Sequence, residues 1–149
     1  MGKEVKSMKL DPSCVRDLLL ALEDCETINE QGVLSEDFSL NTLFRQSRLQ
    51  KYDVAQLRYT FRMLVDAKYI ACHINYIKGG YIPMFGVADG ITYEGHQFIA
   101  NIRNDGVWNK TIQKIAHVGG SVSMGILSSV SEGVAKALID KLSLDQPSA

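Results

Sequence analysis

The stretch Ile91-Thr-Tyr-Glu-Gly-His-Gln-Phe-Ile-Ala-Asn-Ile-Arg103 constrains this chain more than any other. It comes after a Gly-rich, strand-like segment and opens a helix. Thr92 has the side chain to cap the first free amides, and Glu94 in the first turn suits the positive end of the helix dipole. Phe98, Ile99 and Ile102 then recur at helical spacing and give one apolar face. A strand running through Thr-x-x-Gly into a helix divides the chain. The part before it reads as a small helix-and-hairpin domain, and the part after it is helical and rich in Ser, Gly and small apolar residues.

The earlier segments carry their own start signals. Asp11 caps and Pro12 opens a helix to about Glu26, because proline at the first position gives up an N–H that no helical bond uses. On it Cys14, Leu18, Ala21, Leu22 and Cys25 share one face, which makes these cysteines core residues rather than ligands. Residues 27–52 fit neither period, and a short helix or a short strand is expected within 39–48. Asp53 caps a second long helix, 54–67, with Val54, Leu57, Phe61, Leu64 and Val65 as its apolar stripe and Arg58 and Arg62 on the other side. Residues 69–77 have the β-branched and aromatic content of a strand, and Lys78-Gly79-Gly80 is a turn. Residues 81–87 return as a short edge strand interrupted by Pro83, and Ala88-Asp89-Gly90 turns again.

Beyond the break at Asn104-Asp105-Gly106, residues 107–116 form a short amphipathic helix with the sole tryptophan, Trp108. Ser121 is expected to cap a last helix in which Val122, Ile126, Val130, Val134, Leu138 and Leu142 recur every four residues among small neighbours. The expected organisation is a leader at 1–9, a winged-helix-like α+β domain at 10–105, a C-terminal helical segment at 106–144 and a tail at 145–149.

Composition excludes several classes. The three cysteines have no C-x-x-C spacing, which argues against a disulfide framework and for a reducing compartment. The start lacks the apolar core of a signal peptide, and no apolar run is long enough to span a bilayer, so the expected location is the cytoplasm. Cys72 and His73 alternate faces in a strand, and His96 and His117 have no ligand at metal spacing on their own helices. There is no nucleophile elbow, P-loop or dinucleotide fingerprint. No metal, cofactor, small-molecule substrate or enzymatic activity is expected.

Charge is the remaining signal. Residues 11–37 hold eight acids against Arg16 alone, and residues 43–68 hold six cations against Asp53 and Asp66. Such asymmetry marks a polyanion-facing side, or two segments that pack together and neutralise each other.

Met8-Lys-Leu-Asp-Pro-x-x-Val-Arg-Asp-Leu-Leu-Leu20 and the run from Ile91 to Val107-Trp-Asn-Lys-Thr111, with Tyr52-Asp53 through Ile70 between them, resemble the family called domain of unknown function 2513. The resemblance covers nearly all of residues 8–142, with 27–51 departing most. It implies a winged-helix fold and a bacterial prophage or phage setting, and it transfers no catalytic residue.

The leading expectation is a DNA-binding or regulatory accessory protein. A winged helix offers one helix to the major groove and its hairpin to the backbone. Gln56, Arg58, Tyr59 and Arg62 stand on that helix, Arg45, Arg48 and Lys51 just before it, and Lys78 at the hairpin tip. Against this stand a formal net charge of −1 and a wing with one cation. The alternative is a protein-interaction module that does not touch DNA. A homo-oligomer through the C-terminal helices, with Trp108, Ile126, Val130, Val134 and Leu138 at its interface, is compatible with both; the segment could equally cover the domain and complete its core. Membrane-surface binding is not expected, since Lys136 and Lys141 are balanced by Glu132 and Asp140.

Overall fold

A computed structural model describes residues 8–26, 30–32, 38–76, 83–119 and 122–145. Among these residues, six helices and three short strands alternate as α1 (Pro12–Cys25), β1 (Phe38–Ser39), α2 (Leu40–Phe44), a 3-10 turn (Ser47–Leu49), α3 (Val54–Asp66), β2 (Ile70–Tyr76), β3 (Pro83–Ile91), α4 (Tyr93–Ile102), α5 (Asp105–Val118) and α6 (Met124–Asp145). The class is α+β. The region expected to hold a short helix or a short strand holds both, as β1 and α2.

Helix starts obey local chemistry. Asp11 accepts from Ser13 N at 2.9 Å, Asp53 from Gln56 N at 2.7 Å, Thr92 Oγ1 from Gly95 N at 3.0 Å and Asn104 from Val107 N at 3.1 Å. The expected break at Asn104 is therefore itself a cap, and α5 begins at Asp105. Ser121 lies outside the described residues. Ser123 holds the start of α6, its Oγ accepting from Ile126 N at 3.1 Å.

α1 occupies the middle of the core. Cys14, Val15, Leu18, Leu19, Ala21 and Leu22 are all fully buried, against Leu43, Leu49, Leu57, Phe61, Leu64, Ile70, Phe98, Ile99 and Ile102. The same cluster takes in Trp108 of α5 and Leu127 of α6, so it runs without a break across residue 105. On α3, Leu57, Phe61 and Leu64 are buried as expected, whereas Val54 is 56% exposed. It sits in the first turn, ahead of Leu57, where the stripe begins to be covered.

The sheet is antiparallel with strand order β1-β3-β2. Pro83 is the first residue of β3, opposite Tyr76, where its missing N–H is tolerated. The structure corrects the expected turn at Ala88-Asp89-Gly90. β3 continues through it to Ile91, with Ala88 opposite Cys72 on β2 and Phe38 on β1. Strands on both sides pair its backbone, and register shifts opposite the Ala71/Cys72 and His73/Ile74 steps absorb the extra residues as bulges. Gly90 takes the positive φ of 134° that this path needs.

The corner between α3 and β2 explains the Thr-x-x-Gly stretch. Lys68, at φ 66°, closes α3 with its N–H on Val65 O at 3.0 Å and that of Tyr69 on Leu64 O at 2.9 Å. Tyr69 O accepts from Thr92 N at 3.0 Å, and Lys68 O accepts from Thr92 Oγ1 at 2.6 Å. α4 thus starts directly on this corner. A Cβ at Gly95 would collide with the Tyr69 carbonyl and the Ile91 side chain. Thr92 makes the joint, and Gly95 lets it close.

Candidate nucleic-acid interface

α3 turns Leu57, Thr60, Phe61 and Leu64 inward and leaves Arg58 and Arg62 exposed one turn apart. Arg62 Nε is 3.8 Å from Asp66, a pair exposed on both sides and of little energetic weight. Arg58 has no ion pair among the described residues. Tyr59 is half-buried. Gln56 is occupied at home, its Nε2 donating to Thr60 Oγ1 at 3.2 Å and to Lys9 O at 3.4 Å.

The cations ahead of α3 divide. Arg45, just after α2, is exposed and makes no ion pair among the described residues. Arg48 lies 3.6 Å from Asp24. Lys51 is held by Asp17 at 2.9 Å and covers the Tyr52 ring, 5.4 Å from its centroid. Tyr52 donates to the same Asp17 at 2.6 Å; burial, then that carboxylate, pushes its phenol well above the usual tyrosine range. Lys78 lies outside the described residues.

The acids of α1 are therefore largely spent inside the domain. Asp17 serves Lys51 and Tyr52, Asp24 faces Arg48, and Glu23 meets Arg103. Glu26 accepts from Ile91 N at 2.6 Å and lies 3.3 Å from His96 Nε2. For α1, the charge asymmetry comes out as two segments that neutralise each other. Arg45, Arg58 and Arg62 remain outward, and none of them, nor Arg48, is tied to Asp17, Glu23 or Glu26.

Sequence reasoning missed a second cationic strip, although its spacing is visible in the chain. Lys110, Lys114 and His117 recur at i, i+4 and i+7 along the exposed side of α5. The one acid of that helix, Asp105, is drawn off by Arg16 at 2.7 Å. Arg16 also donates to Ile102 O and Arg103 O at 2.9 Å and lies 5.4 Å from the Trp108 ring centroid. It fastens the α4–α5 joint to α1.

Of the residues expected at an oligomer interface, Trp108 and Val134 are only 6% and 4% exposed. Both pack within the chain and are not open to a partner. Val130 is half-buried, and Ile126 and Leu138 are exposed. The four-residue ridge is corrected as well. Four residues turn a helix through somewhat more than one full turn, so such a ridge drifts around the surface. The line that packs is Leu127, Ser131 and Val134.

The three cysteines form no disulfide, and the described residues contain no group of His, Cys, Asp and Glu that could hold a metal ion. Cys14 is buried, and desolvation, with a lesser push from Asp11, Asp17 and Asp53, raises its thiol to about 11. It is a core residue and no nucleophile. No described helix is long and apolar enough to cross a membrane.

What these observations define is an α+β domain with an outward-facing cationic helix. Residues 9–121 match the family described as "Hypothetical protein (DUF2513)", and the chain belongs to that family. The match ends before α6 rather than near residue 142. No curated protein and no solved structure matches the chain.

Proposed function

We propose that residues 10–105 form a winged helix that binds double-stranded DNA through the outward face of α3, as a regulatory or accessory protein. The observation that carries the reading is topological. The order α1, β1, α2, α3, β2, β3 places a helix pair ahead of a hairpin, and β1 returns to pair with β3. In that arrangement α3 is the helix offered to the major groove, and it carries exposed Arg58 and Arg62, with Arg45 on the connection before it. The β2–β3 hairpin is the wing.

The test is fluorescence anisotropy with mixed duplex DNA at about 50 and 200 mM salt. Affinity is expected to fall at least tenfold between the two, and Arg58→Ala/Arg62→Ala to weaken binding and flatten the salt slope by about two. Lys110→Ala/Lys114→Ala is run beside it. Loss of binding in that variant alone would move the contact surface from α3 to α5. No binding by the wild-type chain at either salt overturns the DNA reading. It would favour the second one, a protein-interaction module, which the neutralised α1 surface and the net charge of −1 support.

A further inference from the structure

The outward face of α3 carries a carboxylate at its centre. Leu57, Thr60, Phe61 and Leu64 are the buried residues of this helix. At the helical turn per residue, Ala55, Arg62 and Asp66 each lie within about 30° of the line directly opposite them, and Arg58 lies about 70° round on one flank. All four are exposed, with half-buried Tyr59 beside the line. Ala55, in the first turn, has the smallest side chain of these, so the backbone there comes closest to whatever α3 meets. Asp66 stands farther along the same line, where an acid without a partner would repel phosphates. It has one: its Oδ2 lies 3.8 Å from Arg62 Nε.

That contact prepares Arg62 for one kind of acceptor. Asp66 lies nearest the Nε of the guanidinium. The terminal pair of nitrogens, the fork that fits O6 and N7 of guanine, is left for an outside partner. In water the pair is weak, but where a groove displaces solvent the same pair strengthens and holds the fork in place. Arg58 makes no ion pair among the described residues and sits on the flank, towards the sugar-phosphate wall of a groove that holds α3. We propose that Arg62 reads a guanine in the major groove, with Asp66 as its positioning residue, and that Arg58 contacts the phosphates beside it. This rests on the DNA reading and adds a base to it. On DNA of arbitrary sequence both arginines meet phosphates, and at a preferred site Arg62 exchanges its phosphate for the base edge.

The test starts from duplexes that the full chain selects out of a randomised pool. Anisotropy then follows binding to the selected site with 7-deazaguanine, which lacks the N7 acceptor, in place of each guanine in turn. One replacement is expected to weaken the wild-type chain at least about fivefold and to leave Arg62→Ala unaffected. Arg58→Ala weakens binding to selected and mixed duplexes alike and keeps the penalty. Asp66→Asn sets two effects against each other. Loss of the carboxylate leaves affinity for mixed DNA unchanged or raises it, yet the 7-deazaguanine penalty shrinks below about twofold. A variant that still binds mixed DNA is folded, so a lost penalty is not lost structure. A selected site with no required guanine, a penalty that persists in Arg62→Ala, or one that stays whole in Asp66→Asn each overturns the assignment and leaves the DNA reading in place. No binding to any duplex overturns both.

Discussion

α1 and α6 each bury a stripe of side chains, and the molecule treats the two stripes in opposite ways. α1 is short and surrounded. Six of its 14 residues are buried, and its charges are answered by residues distant in sequence, Lys51, Arg48, Arg103 and Asp105. α6 is half as long again and covered on one side for only part of its length. Its one ion pair among the described residues is internal, Lys136 to Glu132 at 3.2 Å. What differs is how much of each apolar face finds another element, and this decides which helix carries stability and which is left partly uncovered.

The comparison breaks most readily at the centre. Phe61→Ala, against α1, is expected to cost about 4 kcal/mol in urea unfolding, from lost transfer energy and the cavity left behind. A cost below about 1 kcal/mol would mean that α1 is not the packing hub of the domain. Gly95→Ala should cost about 3 kcal/mol, because the new methyl has a backbone carbonyl in its way and α4 must shift. Arg16→Ala comes next at about 2 kcal/mol, with the Ile102 and Arg103 carbonyls losing a donor and Trp108 its cover. Leu142→Ser on α6 is expected to change stability of the monomer by less than about 0.5 kcal/mol. A loss comparable to Phe61→Ala would show that the end of α6 is covered within one chain.

Alkaline pH sharpens the same contrast. Cys14 on α1 and Tyr52 beside Asp17 both have folded-state pKa values raised above their ordinary ones. Raised groups favour the protonated, folded form, so the contribution of Cys14 is complete below about pH 9 and is lost as pH climbs through about 11, while that of Tyr52 begins to be lost only above about pH 10. Urea midpoints should therefore drop between about pH 8 and 10.5, and the drop should shrink in Cys14→Ala and Tyr52→Phe. An equal drop in both variants would place the alkaline weakness elsewhere.

Most of the helical outline was legible because its signals are local. A side-chain oxygen at Asp11, Asp53 or Thr92 reaches an amide two or three residues away, and no distant residue is needed to make that bond. The strands were less legible. Ala88-Asp89-Gly90 has turn composition, but pairing on both sides of β3 outweighed it. Of the candidate DNA-contacting residues, the exposure of Arg58 and Arg62 was readable from the helical period. The withdrawal of Lys51 to Asp17 and of Gln56 to Thr60 was not, because those partners come from other elements or from inward rotamers. The α5 strip was readable at the same helical spacing, but its lack of a balancing acid was not, because Arg16 draws Asp105 away from a distant helix.

The sequence by itself determined where helices begin, which face of α1, α3 and α4 is apolar, and the family to which residues 9–121 belong. Tertiary structure alone decided which charges neutralise each other, how β1 closes on β3, why Gly95 must lack a side chain, and how far along α6 burial extends. The first set rests on contacts within a turn or two of chain. The second rests on close approach between segments as much as 89 residues apart, as for Arg16 and Asp105, and no local pattern encodes that distance.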